Sequence, residues 1–138
     1  MTASAPGPAV QPELSRHGER GSAVVDFVLV GALLTMFFLA IIQLTLVLHV
    51  RNTLIDAAAS GARYGTLADR TASDAEERTR RLISMALNQG FAEQINTREV
   101  NVQGMRTLEV TVRSPMPVIG LIGPRDVLEV KGHAAIQP

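Results

Sequence analysis

The chain has 138 residues with 13 basic and 13 acidic side chains, so its formal net charge is zero. That balance speaks against the basic footprint of a nucleic-acid binder, and the lack of cysteine excludes a disulfide framework and a thiolate metal site. The length allows one small domain beside a membrane segment, not two.

Residues 1 to 19 are polar, rich in small side chains and punctuated by Pro6, Pro8 and Pro12. No helical or strand period runs through them, and such a composition predicts disorder. Residues 27 to 48 follow as 22 positions without a charged side chain, broken in polarity only by Thr35, Gln43 and Thr45. A bilayer core is about 30 Å thick and takes about 20 apolar helical residues to cross, so the run predicts a transmembrane helix. Arg16 and Arg20, with His17, stand in front of it. Basic residues beside a first apolar segment stay in the cytoplasm, which predicts an inside N-terminus and an outside C-terminal domain. An ordinary secretory signal has an apolar stretch of about 7 to 15 residues; this one is longer, and Arg51 follows it.

Asp26 lies at the entrance of the predicted membrane helix. A carboxylate at the centre of such a helix costs about 2.5–3.5 kcal/mol, less near its end. One reading is that Asp26 sits among the headgroups and marks the helix start. The other is that cleavage after Gly21 creates an ammonium terminus at Ser22, with which Asp26 pairs in its own or a neighbouring subunit, since burying a pair costs less than burying either charge alone.

Gly21, with Asp26 as the fifth residue behind it and a long apolar helix beyond, resembles a type IV prepilin signal, in which a prepilin peptidase cuts after the glycine. The segment from Arg20 through Gly21-Ser22-Ala23-Val24-Val25-Asp26-Phe27 resembles the TadE-like family of tight-adherence pilus assembly proteins, minor pseudopilins of the Flp pilus. A second block, Asp56-Ala-Ala-Ala-Ser-Gly-Ala-Arg63-Tyr-Gly65, is similar to the Ala-rich stretch ending in Gly-Ala-Arg that the family often carries. The resemblance covers residues 20 to 67, with one departure: the family usually has Glu where this chain has Asp26, which is shorter by one methylene. It implies processing between Gly21 and Ser22 and a subunit-register role for Asp26. The implied partners are the prepilin peptidase, the major Flp pilin, other minor pseudopilins, inner-membrane platform proteins and a cytoplasmic ATPase. The implied location is the bacterial cell membrane, with the pilus fibre as a further destination.

The remaining elements follow from pattern. Helix is expected to continue from His49 to about Ala68, with Leu54, Ile55, Ala58, Ala62 and Leu67 on one stripe. Gly61 and Gly65 admit a close neighbour, or Gly65 ends the helix. Ser73-Asp74-Ala75-Glu76 fits a capping box and opens a second helix whose apolar face is Ala75, Thr79, Leu82, Ile83, Ala86, Leu87 and Phe91, with Gly90 as its stop. Asp74–Arg78, Glu76–Arg80 and Glu77–Arg81 are acid-before-base pairs at i,i+4. Three alternating segments then predict strands: Val100 and Val102; Leu108, Val110 and Val112 after a turn at Gly104; and Leu128, Val130, Ala134 and Ile136.

The predicted fold class is therefore α+β: a long N-terminal transmembrane helix continues into a pilin-like domain with a second amphipathic helix and a three-stranded antiparallel sheet. The expected organisation is a leader over 1–21, a transmembrane helix over 22–49 and an extracytoplasmic domain over 50–138. Between the last two strands Val118, Ile119, Leu121 and Ile122 form an apolar, Pro/Gly-punctuated loop that tucks under the domain edge, rests on membrane lipid or contacts a partner subunit. His17, His49 and His133 have no ligand spacing, no serine sits in a nucleophile elbow, and no phosphate-binding glycine loop follows a strand. No catalytic residue, cofactor or metal is expected. Two other functions fit the same features: an uncleaved single-pass anchor displaying a small binding or sensor domain, and a type II secretion pseudopilin.

Overall fold

The computed structural model describes residues 2–9, 14–117 and 127–138, with the side chains of 2–9, 18–117 and 127–138. Helix α1 spans Leu14–Gly65 and α2 spans Ala72–Ala86; a 3₁₀ turn at Gln89–Phe91 leads into strands β1 Gln94–Val102, β2 Met105–Pro115 and β3 Val127–Ala135. The class is α+β. By contacts the chain divides after Ala40 into two compact units, residues 1–40 and 41–138.

The first unit holds the N-terminal part of α1. Its described side chains are exposed apart from half-buried Gly31, as befits a helix without a polar face. Thr35 satisfies its hydroxyl within the helix, donating to Gly31 O at 2.8 Å. The helix starts at Leu14, ahead of the boundary expected near Gly21. No proline occurs between Pro12 and the apolar run, and a helix nucleated in that run extends at little cost into flanking residues.

The second unit is a meander of order β1-β2-β3 with helices on one face. Gln103 and Gly104 both have positive φ, 51° and 83°, and Val102 pairs with Met105. This is the two-residue hairpin turn that suits the twist of antiparallel strands. The helix-facing side of β2 is Leu108, Val110 and Val112, all buried, as alternation predicts. Ile95 faces Val112 from β1, while Val130, Gly132 and Ala134 flank from β3. The expected β1 face is corrected: Val100 pairs with Thr107 and Val102 with Met105, on the side away from the helices, and the buried apolar residue of β1 is Ile95.

On α1 the buried residues are Val50, Leu54, Ala57, Ala58, Gly61 and Ala62, and the helix ends at Gly65 rather than near Ala68. Leu67, expected on the stripe, is 55% exposed. The small residues set the packing distance. A Cβ on Gly61 would fall 2.8 Å from Ala75 O in α2, and one on Gly65 would fall 2.6 Å from Ala75 Cβ. Both glycines therefore let α2 lie close.

Helix α2 is capped two residues earlier than the Ser73 box. Thr71, extended at φ −120° and ψ 169°, is the N-cap. Its hydroxyl accepts from Asp74 N–H at 3.3 Å, and the Asp74 carboxylate accepts from Thr71 N–H at 2.8 Å. Glu76 is released for another use: it accepts from the Thr97 amide and hydroxyl on β1 at 3.1 and 2.9 Å. Of the three expected ion pairs only Glu77–Arg81 forms, at 3.8 Å, beside Glu77–Arg80 at 3.4 Å. The helix stops at Ala86, and Gly90 belongs to the following 3₁₀ turn, where its N–H donates to Asn88 Oδ1.

Candidate functional site

By length and composition α1 is able to cross a membrane. Gly21, Ser22 and Asp26 all lie in α1 and are exposed. Ser22 and Asp26 are four residues apart, so they share one face of the helix. A helical side chain leans toward the N-terminus, which tilts the Asp26 carboxylate toward Ser22. No ion pair engages Asp26 among the described residues. Val118, Ile119, Leu121 and Ile122 lie outside the described residues.

Two features within residues 41–138 were not anticipated. The first is at the end of β2. Gln43, inside the uncharged run, donates from Nε2 to the carbonyl of Pro117. The covered stripe of α1 thus begins at Gln43 and continues through Leu46, Val47 and Val50. The signal was a lone amide in an apolar helix, a residue that needs a partner if lipid surrounds it.

The second is a charged cluster on the sheet face away from the helices. Glu109, 5% exposed, occupies its centre on the middle strand. Its carboxylate accepts from Arg98 Nε at 2.6 Å and lies 2.9 Å from His133 Nε2 and 3.5 Å from Lys131 Nζ. Burial alone raises a carboxyl pKa, but the hydrogen bonds from Arg98 and His133 and the charges of Arg98 and Lys131 outweigh it, holding Glu109 at about 2. Arg113 and Glu129 pair at 2.7 Å on the neighbouring rung. A shallow groove runs between these side chains, lined by Asn96, Arg98, Thr111, Arg113, Glu129 and Lys131. Its cations are already paired with the acids, so the cluster ties three strands together. Among the described residues no group of three or more His, Asp or Glu could hold a metal ion.

An exposed apolar helix of membrane-spanning length, continuing into a small α+β domain, defines a membrane-anchored protein, with one candidate span among the described residues. The model of the family described as TadE-like protein matches residues 21–63, the family that the sequence resembles. The match runs from Gly21 through the apolar run to Arg63 of the Ala-rich block. No curated protein and no solved structure gives a significant match.

Proposed function

We propose that the chain is a minor pseudopilin, anchored in the bacterial cell membrane, that takes part in assembling a tight-adherence (Flp, type IV-like) pilus. The match to the TadE-like family over 21–63 carries this reading, because it includes Gly21, Asp26, the apolar stem and the Ala-rich block together. A prepilin peptidase cuts between Gly21 and Ser22. The new Ser22 ammonium and Asp26 then form a charge pair, within one stem or between neighbours, that sets the register of stems packed in lipid. Stem contact there depends on close packing and polar pairing, because lipid is as apolar as the side chains.

The leader stays in the cytoplasm and the α+β domain lies outside the membrane. Partners are the major Flp pilin, other minor pseudopilins and the platform proteins. The chain positions other subunits and catalyses nothing itself.

The test is the mature N-terminus. The full chain is expressed with and without a matching prepilin peptidase, and its intact mass and N-terminal sequence are read from membranes. A start at Ser22 only with active peptidase is expected. A start still at Met1 or Thr2, with the peptidase active on a control substrate, overturns the processing step and leaves Asp26 without its partner.

A further inference from the structure

Two guanidinium groups share the Tyr64 ring. Tyr64 is in the last turn of α1, Arg70 in the connection that follows and Arg78 in the second turn of α2. Arg70 Cζ lies 4.7 Å and Arg78 Cζ 5.7 Å from the centre of the ring, within the range where an aromatic face attracts a cation. Among the described residues no carboxylate comes within ion-pair distance of Arg70 or Arg78.

The local acids are held elsewhere. Asp74 stands four residues before Arg78, a spacing at which the two would pair. Its Oδ2 instead accepts from the Thr71 amide and hydroxyl at 2.8 and 2.9 Å. Glu77 pairs with Arg80 at 3.4 Å and with Arg81 at 3.8 Å. The cap of α2 thus leaves Arg78 without its helical partner, and the Tyr64 ring takes its guanidinium instead.

Tyr64, Arg70, Asp74, Glu77, Arg78 and Arg81 line one shallow hollow of about 200 Å³. Three guanidiniums and two carboxylates leave this hollow one positive charge in excess. That excess selects the ligand. A single carboxylate balances it, whereas a doubly charged phosphate overshoots it and meets Asp74 and Glu77 as like charges. A carboxylate is planar and accepts two parallel N–H bonds from a guanidinium fork. Tyrosine and arginine are also among the side chains that most often dominate binding at protein interfaces. The charged face of the sheet offers no equivalent, because Arg98, Arg113 and Lys131 there already hold Glu109 or Glu129.

We propose that Tyr64, Arg70 and Arg78 form a docking point for an acidic segment of a partner protein, with an Asp or Glu carboxylate of that segment received by the two guanidinium groups. All three residues belong to the unit 41–138. The docking point depends neither on cleavage at Gly21 nor on pilus assembly.

Tyr64 reports on its own site, because the chain has one tyrosine and no tryptophan. The full chain in dodecyl maltoside micelles is titrated at low salt with an acetylated, amidated tetraglutamate peptide while tyrosine emission is followed. A saturable change is expected, with none from the tetraglutamine peptide. Arg70→Gln and Arg78→Gln should each weaken the midpoint by about tenfold, as loss of a charged hydrogen bond does. Arg78→Lys keeps a charge near the ring but loses the fork, and should weaken it by less. Arg51→Gln, at an exposed arginine elsewhere on α1, should leave the midpoint unchanged. No saturable change with tetraglutamate, an equal change with tetraglutamine, or midpoints that the Arg70 and Arg78 variants leave unaltered overturns the docking point. An equal response to inorganic phosphate, or to phosphatidylglycerol mixed into the micelles, also overturns it, because the site then takes phosphate rather than an acidic segment.

Discussion

Gly132 in β3 lies against the main chain of Ala58 in α1. A Cβ on Gly132 would fall 2.3 Å from the Ala58 carbonyl carbon and 2.3 Å from Ala59 N. Backbone cannot yield as the tip of a side chain can, so helix and sheet must separate to admit even a methyl group. Gly132→Ala is expected to lower the stability of the full chain in micelles by about 1–3 kcal/mol, the usual cost of overpacking, and Gly132→Val by more. Denaturant unfolding reads the difference. A Gly132→Ala midpoint equal to wild type removes the close approach.

Glu109 makes stability depend on acid. Its folded pKa of about 2 is below the ordinary carboxylate value, so the unfolded chain takes up the proton first as pH falls. The contribution is complete above about pH 4.5 and is lost as pH falls toward 2. Arg98 is well exposed, and water screens its share of the cluster; the contribution is on the order of 1–3 kcal/mol. Unfolding midpoints measured from pH 6 to pH 2 should fall in wild type. The Glu109→Gln protein should start lower and show a shallower fall over the same range. Parallel curves would show that other carboxylates govern the acid limb.

The long apolar helix, the second helix and three antiparallel strands were all legible in the sequence, because each has a period or a length that few structures share. Positions set by tertiary contact were less so. Gly132 was passed over in the alternation of β3, although a glycine inside a strand often marks a close backbone approach. Glu109 alternates with the apolar residues of β2 and so belongs to its polar side. Its burial depends on β1 and β3 both flanking it with long cationic side chains, which no single strand reveals. Gly21, Ser22 and Asp26 were singled out by resemblance. The chemistry proposed for them needs a processed terminus or a neighbouring subunit, and neither is a property of the folded single chain.

The face of β1 was misassigned through parity. Val100 and Val102 alternate with polar residues, as a core face would. Yet a two-residue turn at Gln103–Gly104 pairs Val102 with Met105, so the even residues of β1 share a face with the odd residues of β2. Leu108, Val110 and Val112 are then on the opposite side. Val110 is fully buried and Val102 is 43% exposed. Val110→Ala should cost about 2 kcal/mol, while Val102→Ser should stay within about 0.5 kcal/mol of wild type. Equal losses in denaturant unfolding would contradict this register.

The start of α2 separates two caps two residues apart. Both Thr71-Ala-Ser-Asp74 and Ser73-Asp-Ala-Glu76 have a hydroxyl followed three residues later by an acid. Thr71 holds the extended backbone of a cap and exchanges hydrogen bonds with Asp74, whose carboxyl is lowered first by the Thr71 amide and then by its hydroxyl. Ser73 is already inside the helix, and Glu76 is turned to Thr97 on β1. Thr71→Ala should cost about 1 kcal/mol, typical for loss of a cap, and Ser73→Ala should be neutral or slightly stabilising, since alanine is the better residue within a helix. Glu76→Gln should lower stability by weakening the tie to β1, without loss of helix content. Circular dichroism and denaturant midpoints on the three variants distinguish these outcomes; a Ser73→Ala loss as large as that of Thr71→Ala would place the cap at Ser73.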